Sequence, residues 1–291
     1  MPLEYFSYWN LREKPFQNVP ETRFAYMAEQ HREALARLLY LVDGRKLGGV
    51  LTGTYGVGKT MVIELLAQAI AARPNARCVV IESPAPATLP LARQLISRLG
   101  SDRDIHDLGE ALDTFQALCL DSHAPFDPLV LVVDEAQVLR DPAVFEFFHL
   151  LTNFRSPRKG ASDDAAFTLI LAGHSDLRKR VEADESLSQR LTLFWELEPL
   201  TEAQVIEYVH HRMRVAGGDI WTFDEEALQE VFRGSRGLPR LINNICDIAL
   251  LAGRASQAPS ITADLVRQAT AEAQGTPLAP AEKPKGDPDH E

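Results

Sequence analysis

Over the first two hundred residues, short apolar runs alternate with helically spaced ones. Gly49-Val-Leu-Thr, Arg77-Cys-Val-Val-Ile-Glu, Leu129-Val-Leu-Val-Val, Phe167-Thr-Leu-Ile-Leu-Ala and Leu193 to Leu197 predict strands. Between them, Met61 to Ile70, Leu89 to Leu99 and Ile105 to Leu120 predict helices. A further helix opens at Asp141-Pro142, with Asp141 as N-cap and Pro142 at the first helical position. Ahead of the first strand, Ala34, Leu35, Leu38, Leu39 and Leu41 give Gln30 to Val42 a helical apolar face. Strands that read apolar throughout are buried on both sides. The pattern therefore predicts an α/β fold, a parallel sheet covered by helices on both faces.

The signal changes near residue 200. Thr201-Glu-Ala-Gln204 is a capping box opening a helix to about Ala216. Asp224 to Phe232, Leu238 to Ala252 and Thr262 to Ala273 follow as helices, with no strand pattern among them. The expected organisation is a lead-in over 1–47 that packs on the core, an α/β core over 48–200, a small all-α domain over 201–274 and a tail over 275–291. Pro277, Pro280, Pro284 and Pro288 and the lack of large apolar residues after Leu278 predict a disordered tail. The lead-in is aromatic: Tyr5, Phe6, Tyr8, Trp9, Phe16, Phe24 and Tyr26. Two readings stand for it, packing against the sheet or, up to His31, forming a wall around a nucleotide base.

Between the first strand and its helix lies Gly53-Thr-Tyr-Gly-Val-Gly-Lys-Thr60, a complete phosphate loop. Its glycines let the backbone turn several N–H groups toward one point, and the helix N-terminus adds positive potential. Gly53, Thr54, Tyr55, Gly56, Val57, Gly58, Lys59, Thr60 and Met61 are the expected nucleotide-binding stretch, with Lys59 on the β- and γ-phosphates of ATP and Thr60 on Mg²⁺. The strand from Leu129 ends in Asp134-Glu135. Asp134 is the expected partner of Thr60 in holding the metal, and Glu135 the group that orients and activates the attacking water. The next strand ends in His174, which either contacts water or γ-phosphate or caps the helix beginning near Ser175. Phosphoryl transfer also needs guanidinium charge on the γ-phosphate. Arg240, in Gly237-Leu-Pro-Arg, is expected to supply it from the helical lid of the same subunit. Arg190 is expected to supply it in trans from a neighbour, with Arg178 and Arg180 as rivals.

The 291 residues suffice for two domains, and 45% apolar with 24% charged residues is ordinary for a soluble globular chain. The net charge of -11 disfavours non-specific binding to nucleic acid or anionic lipid. The only short basic runs are Arg155-Ser-Pro-Arg-Lys159 and Arg178-Lys-Arg180. No basic-then-apolar leader opens the chain, and no apolar run approaches the roughly 18 residues of a membrane span. A cytoplasmic protein is expected, peripheral at the inner membrane at most through a partner. Cys78, Cys119 and Cys246 have no metal spacing and read as reduced structural thiols.

Together, the phosphate loop, the Asp-Glu strand, the polar strand tip, the arginine and the Gly-x-Pro-Arg turn resemble an AAA+ ATPase. The lead-in narrows the resemblance. Tyr5-Phe6, Leu11-Arg-Glu-Lys-Pro-Phe16, Pro20-Glu-Thr-Arg-Phe-Ala-Tyr26 and His31-Arg-Glu-Ala-Leu35 are similar to the ExeA/GspA family of general secretion ATPases. So are Gln189-Arg190, Leu197-Glu-Pro-Leu-Thr201 and Gly237-Leu-Pro-Arg-Leu-Ile-Asn-Asn-Ile-Cys246. The resemblance covers roughly residues 3–272. It implies a homo-oligomeric ATPase supporting a secretin-based envelope machine, either type II secretion or a type IV pilus, with proteins of that machine as partners. ExeA-type proteins continue into a membrane span and a peptidoglycan-binding domain, so a short form like the pilus protein MshM is expected here. Thr54 and Tyr55 stand where the family usually has an acidic and a small apolar residue, which puts nucleotide affinity in question. A second function is an ATP-dependent DNA-binding regulator of transposition, as in the related TnsC and TniB proteins; the acidic charge favours the first. A third, a switch that hydrolyses ATP very slowly, is opposed by Glu135.

Overall fold

A computed structural model describes residues 5–120, 126–155 and 165–275 of the 291. The predicted tail lies, from residue 276 onward, outside the described residues. The chain divides into two compact units. One comprises Val19–Pro199; the other joins the residues up to Asn18 with those from Leu200 onward.

The first unit is built on five strands: β1 (Gly48–Gly53), β2 (Arg77–Ile81), β3 (Leu129–Val133), β4 (Thr168–Gly173) and β5 (Leu193–Leu197). All pair in parallel, in the order β2-β3-β4-β1-β5. Each starts within one residue of its predicted position. Every residue of β1, β3 and β4 is buried, which is why these strands read as nearly unbroken apolar runs. Leu129, Leu131 and Val133 join Leu95, Phe115 and Phe148 in a core on one face. The alternate residues Val130 and Val132 are equally buried and point to the opposite face. Each such side chain contributes about 1.5–3 kcal/mol by leaving water.

The strand order decides where a site can form. β4 lies between β3 and β1, with Val133 beside Leu171 and Thr52 beside Gly173. The carboxyl ends of β3, β4 and β1 therefore finish side by side, the edge at which parallel α/β sheets bind ligands. The helix after β3 spans Ala143–Leu151, one residue later than predicted, with Pro142 at the cap position. Asp141 still accepts the Ala143 N–H at 3.0 Å, and its other oxygen accepts the Thr88 hydroxyl at 2.7 Å.

In the second unit, helices span Glu202–Val215, Glu225–Ser235, Pro239–Ala255 and Ala263–Ala273. The capping box forms as expected: Gln204 N–H donates to Thr201 Oγ1 at 3.4 Å, and Gln204 Oε1 accepts Thr201 N–H at 3.0 Å. Asp224 caps the next helix by accepting the Ala227 N–H at 2.7 Å.

The lead-in is not one segment on the sheet. Up to Asn18 it belongs to the helical unit: Trp9 Nε1 donates to Leu250 O at 2.9 Å, and Phe16 meets Phe223 edge-on at 6.1 Å. Arg212, 4% exposed, fixes it there, with Nε donating to Pro15 O at 2.5 Å and Nη2 to Gln17 O at 3.0 Å. The forked guanidinium reaches both main-chain carbonyls at once and also donates from Nη1 to the Tyr208 hydroxyl at 2.8 Å. Only the stretch from Val19, with the helix Glu29–Asp43, belongs to the α/β unit.

Candidate functional site

The phosphate loop leaves β1 and enters the helix Lys59–Ala71 through Gly58 at φ 112°. Gly56 is also left-handed, at φ 79°. Both conformations suit glycine, and they bring the chain tightly around to the orphan N–H groups of the helix start. A Cβ on Gly58 would stand 2.9 Å from His31 Nε2, so the helix Glu29–Asp43 supports the loop from below. His31 Nε2 lies 3.0 Å from Val57 O, and its Nδ1 has no hydrogen-bond partner among the described residues. Because a carbonyl oxygen only accepts, Nε2–H is the donor to Val57 O; burial lowers the His31 pKa.

Lys59 is buried, and its Nζ donates to Gly53 O at 2.8 Å and Thr54 O at 3.1 Å. The ammonium is thus held inside the loop. Thr54, Tyr55 and Thr60 are exposed at its surface. The Thr60 hydroxyl donates to Asp134 Oδ2 at 2.9 Å. Asp134 is 3% exposed, and burial raises its pKa. The Glu135 N–H at 2.8 Å, the Thr60 hydroxyl and Lys59 act in the opposite direction. A hard cation matches this pair: Mg²⁺ is commonly bound by one or two protein oxygens together with substrate phosphates. Among the described residues no three His, Cys, Asp or Glu side chains cluster as a separate metal cage.

Glu135 follows at φ 52°. Its Oε2 accepts from Gln137 Nε2, while Gln137 Oε1 accepts the His174 N–H at 3.0 Å. The His174 ring stacks on Tyr55, centroids 4.9 Å apart and planes at 26°, and its Nδ1 contacts Asp176 Oδ1. Beside that ring the Asp176 carboxyl is held below the usual carboxylate range. The side chain of His174 thus turns to Tyr55 and Asp176, and β4 brings its tip between the phosphate loop and Glu135.

The three candidate arginines of this unit differ. Arg190 Nη1 donates to Thr152 Oγ1 at 3.1 Å. Arg178 pairs with Glu182 at 2.8 Å. Arg180 turns into the loop after β3, donating to Gln137 O at 2.9 Å and to Leu139 O. Arg240 belongs to the second unit, exposed at the second position of its helix. Gly237 before it has φ 74°, and a Cβ there would stand 2.0 Å from Leu200 O.

Residue-by-residue reading missed Gln137, Arg180 as a brace, and His31 as a support of the loop. The signal for Gln137 was its place two residues after Glu135; the other two contacts span 43 and 26 positions and have no local signature. The cysteines are free thiols, and burial pushes both Cys78 and Cys119 up to about 12.

The model of an AAA domain matches residues 42–181. General secretion pathway protein A of Aeromonas hydrophila is 36% identical over 253 residues, which are 85% of this chain and 44% of that protein. The chain thus spans under half the length of the curated relative it matches. The resemblance read from the lead-in and motifs holds over that stretch. Among solved structures, Cdc6p of Pyrobaculum aerophilum superposes with a TM-score of 0.66 at 19% identity, over 88% of this chain and 71% of that one. The ORC2 protein of Aeropyrum pernix gives 0.65 at 14% identity, over 89% and 73%. RuvB of Thermotoga maritima gives 0.59 at 17% identity, over 87% and 73%. These likenesses establish the fold. Among the described residues no helix is long and apolar enough to cross a membrane.

Proposed function

We propose that this chain, whose fold is that of the AAA+ P-loop NTPases, binds ATP with Mg²⁺ and hydrolyses it to ADP and phosphate. The observation that carries this reading is the Thr60–Asp134 hydrogen bond, with Lys59 held in the loop and Glu135 on the adjoining residue. Loop N–H groups and Lys59 bind and orient the phosphates. Thr60 and Asp134 hold the metal, which when bound neutralises phosphate charge and polarises the bond to be broken. Glu135 takes the proton of the attacking water. For His174, at the tip of β4, to contact the water or the γ-phosphate, its ring must turn away from Tyr55 and Asp176. Arg240 serves from the same chain and Arg190 from a neighbouring copy in a homo-oligomer.

For the cellular role we propose energy supply to a secretin-based envelope system, type II secretion or a type IV pilus, acting at the cytoplasmic side. The 36% identity to general secretion pathway protein A supports it. The test uses two variants. Lys59→Ala is expected to lose ATP binding. Glu135→Gln is expected to bind ATP and turn it over at least ~100-fold more slowly, the scale of a lost general base. Unchanged affinity in the first removes the phosphate-loop assignment, and normal turnover in the second reassigns the base. The ATP-trapped Glu135→Gln protein also tests the role: tight, ATP-dependent binding to duplex DNA at physiological salt would overturn the secretion reading in favour of transposition control.

A further inference from the structure

The short turn Ala136–Val138 carries Gln137 directly after the Asp-Glu pair. One amide has two donor protons and one acceptor oxygen, and here it uses both kinds. Nε2 donates to Glu135 Oε2, and Oε1 accepts the His174 N–H at 3.0 Å. A single side chain thus ties the carboxylate that follows β3 to the end of β4. The approach is close: a Cβ on Gly173 would stand 2.5 Å from Gln137 Oε1. From the other side the Arg180 guanidinium holds two carbonyls of the same turn, those of Gln137 and Leu139. A planar fork on two acceptors fixes orientation as well as distance. Glu135 itself sits at φ 52°, a backbone region that side chains other than glycine seldom keep without support from their surroundings.

We propose that Gln137 is a positioning residue for ATP hydrolysis. It clamps Glu135 Oε2, which leaves Oε1 to meet the attacking water, and it makes the carboxylate's aim depend on where the tip of β4 stands. Through His174 the link continues to Tyr55 on the phosphate loop, 4.9 Å from the imidazole. The contact order is therefore Tyr55, His174, Gln137, Glu135. It connects the loop that binds phosphate with the group that activates water, without passing through the substrate. The inference rests on the ATPase reading above.

The rival role is purely local: Gln137 satisfies the His174 N–H and nothing more. Two substitutions separate them. Gln137→Glu keeps an acceptor for that N–H but loses the donor and sets a like charge against Glu135. Gln137→Met loses both functions at similar length. Turnover and ATP affinity are measured on the full chain, together with amide hydrogen exchange at His174. Both variants are expected to lower kcat by about 10–100-fold, the effect of removing a supporting partner of a reacting group, with the Kd for ATP unchanged within about twofold. Exchange at His174 is expected to stay slow in Gln137→Glu and to quicken in Gln137→Met. Wild-type turnover in Gln137→Glu would overturn the proposal in favour of the local role. A loss of affinity as large as the loss of kcat would overturn it too, because the residue would then act in binding. A wild type without turnover, or one matched by Glu135→Gln, brings down the ATPase reading itself. Exchange and affinity then still show whether the protein is folded and binds ATP, so the two failures are told apart.

Discussion

Thr60 donates its hydroxyl to Asp134 Oδ2 over 2.9 Å, joining the first turn of one helix to the end of β3 across 74 positions. Burial raises the Asp134 pKa, so the ionised carboxylate is held at a cost in the folded protein. The folded state then binds a proton more readily than the unfolded chain, and this group's contribution improves as pH falls through the carboxylate range. Asp134→Asn is accordingly expected to lose the Mg²⁺-dependent part of ATP affinity while the free protein melts roughly 2–4 °C higher at pH 7, the scale of ~1 kcal/mol in a chain of this size. The gain shrinks toward pH 5. Melting curves at both pH values, with and without Mg²⁺ and ATP, check this. A lower melting temperature at pH 7 would show that the hydrogen bonds from Thr60 and Glu135 outweigh the cost of burial.

Gly237 precedes Leu238-Pro239-Arg240 at φ 74°, and Leu200 N donates to its carbonyl at 2.8 Å. A methyl group there meets both an unfavourable backbone conformation and the Leu200 carbonyl. Gly237→Ala is expected to destabilise the helical unit by at least ~2 kcal/mol, read as a lower urea midpoint by tryptophan fluorescence. An unchanged midpoint would mean that the turn shifts away from Leu200 at little cost.

The sheet and the loop were legible because their signals are local. β1, β3 and β4 are buried along their whole length, so burial is written into consecutive residues. The phosphate loop needs its glycines at fixed spacing, and φ 79° at Gly56 and 112° at Gly58 show why. The sequence places Thr60 and Asp134 near one another because parallel strands finish on one edge, but it does not show the direct hydrogen bond between them. What stayed hidden depends on contacts between distant segments. Trp9 and Phe16 read as aromatic wherever they pack, and nothing in their neighbourhood assigns them to Leu250 and Phe223. Gln137 looks like an ordinary turn residue until β4 brings His174 to its carbonyl oxygen.

His31 is 5% exposed below the loop, and burial lowers its pKa from 6.5. Below that value the unfolded chain takes up a proton that the folded chain refuses, so stability is lost as pH falls. His210 and His211 are lowered in the same sense, so the wild-type slope alone does not single out His31. His31→Gln keeps an N–H for Val57 O and does not titrate. It is expected to flatten the loss between pH 7 and pH 5, by at most ~1.4 kcal/mol per pH unit. Unfolding curves of the two proteins across that range check it. Identical slopes would mean that the ring reaches water before it protonates.

Arg190 makes the most exchangeable contact of the three candidate arginines in its unit. Arg178 is engaged with Glu182, and Arg180 with two carbonyls of the turn after β3. Arg190 Nη1 has a neutral acceptor, Thr152 Oγ1 at 3.1 Å, and that hydroxyl already donates to His149 O at 2.6 Å. A phosphate oxygen accepts more strongly than a hydroxyl, because the bond is then charge-assisted on both sides. If Arg190 serves a neighbouring copy, Arg190→Ala keeps ATP affinity within about twofold and lowers turnover about 10³-fold. Wild-type activity per chain then rises with protein concentration. Mixing supplies the sharper test. Glu135→Gln retains the arginine and Arg190→Ala retains the carboxylate, so a mixed oligomer contains intact composite sites, and the mixture exceeds either variant alone. Turnover independent of concentration, with no gain on mixing, would assign Arg190 to its own chain.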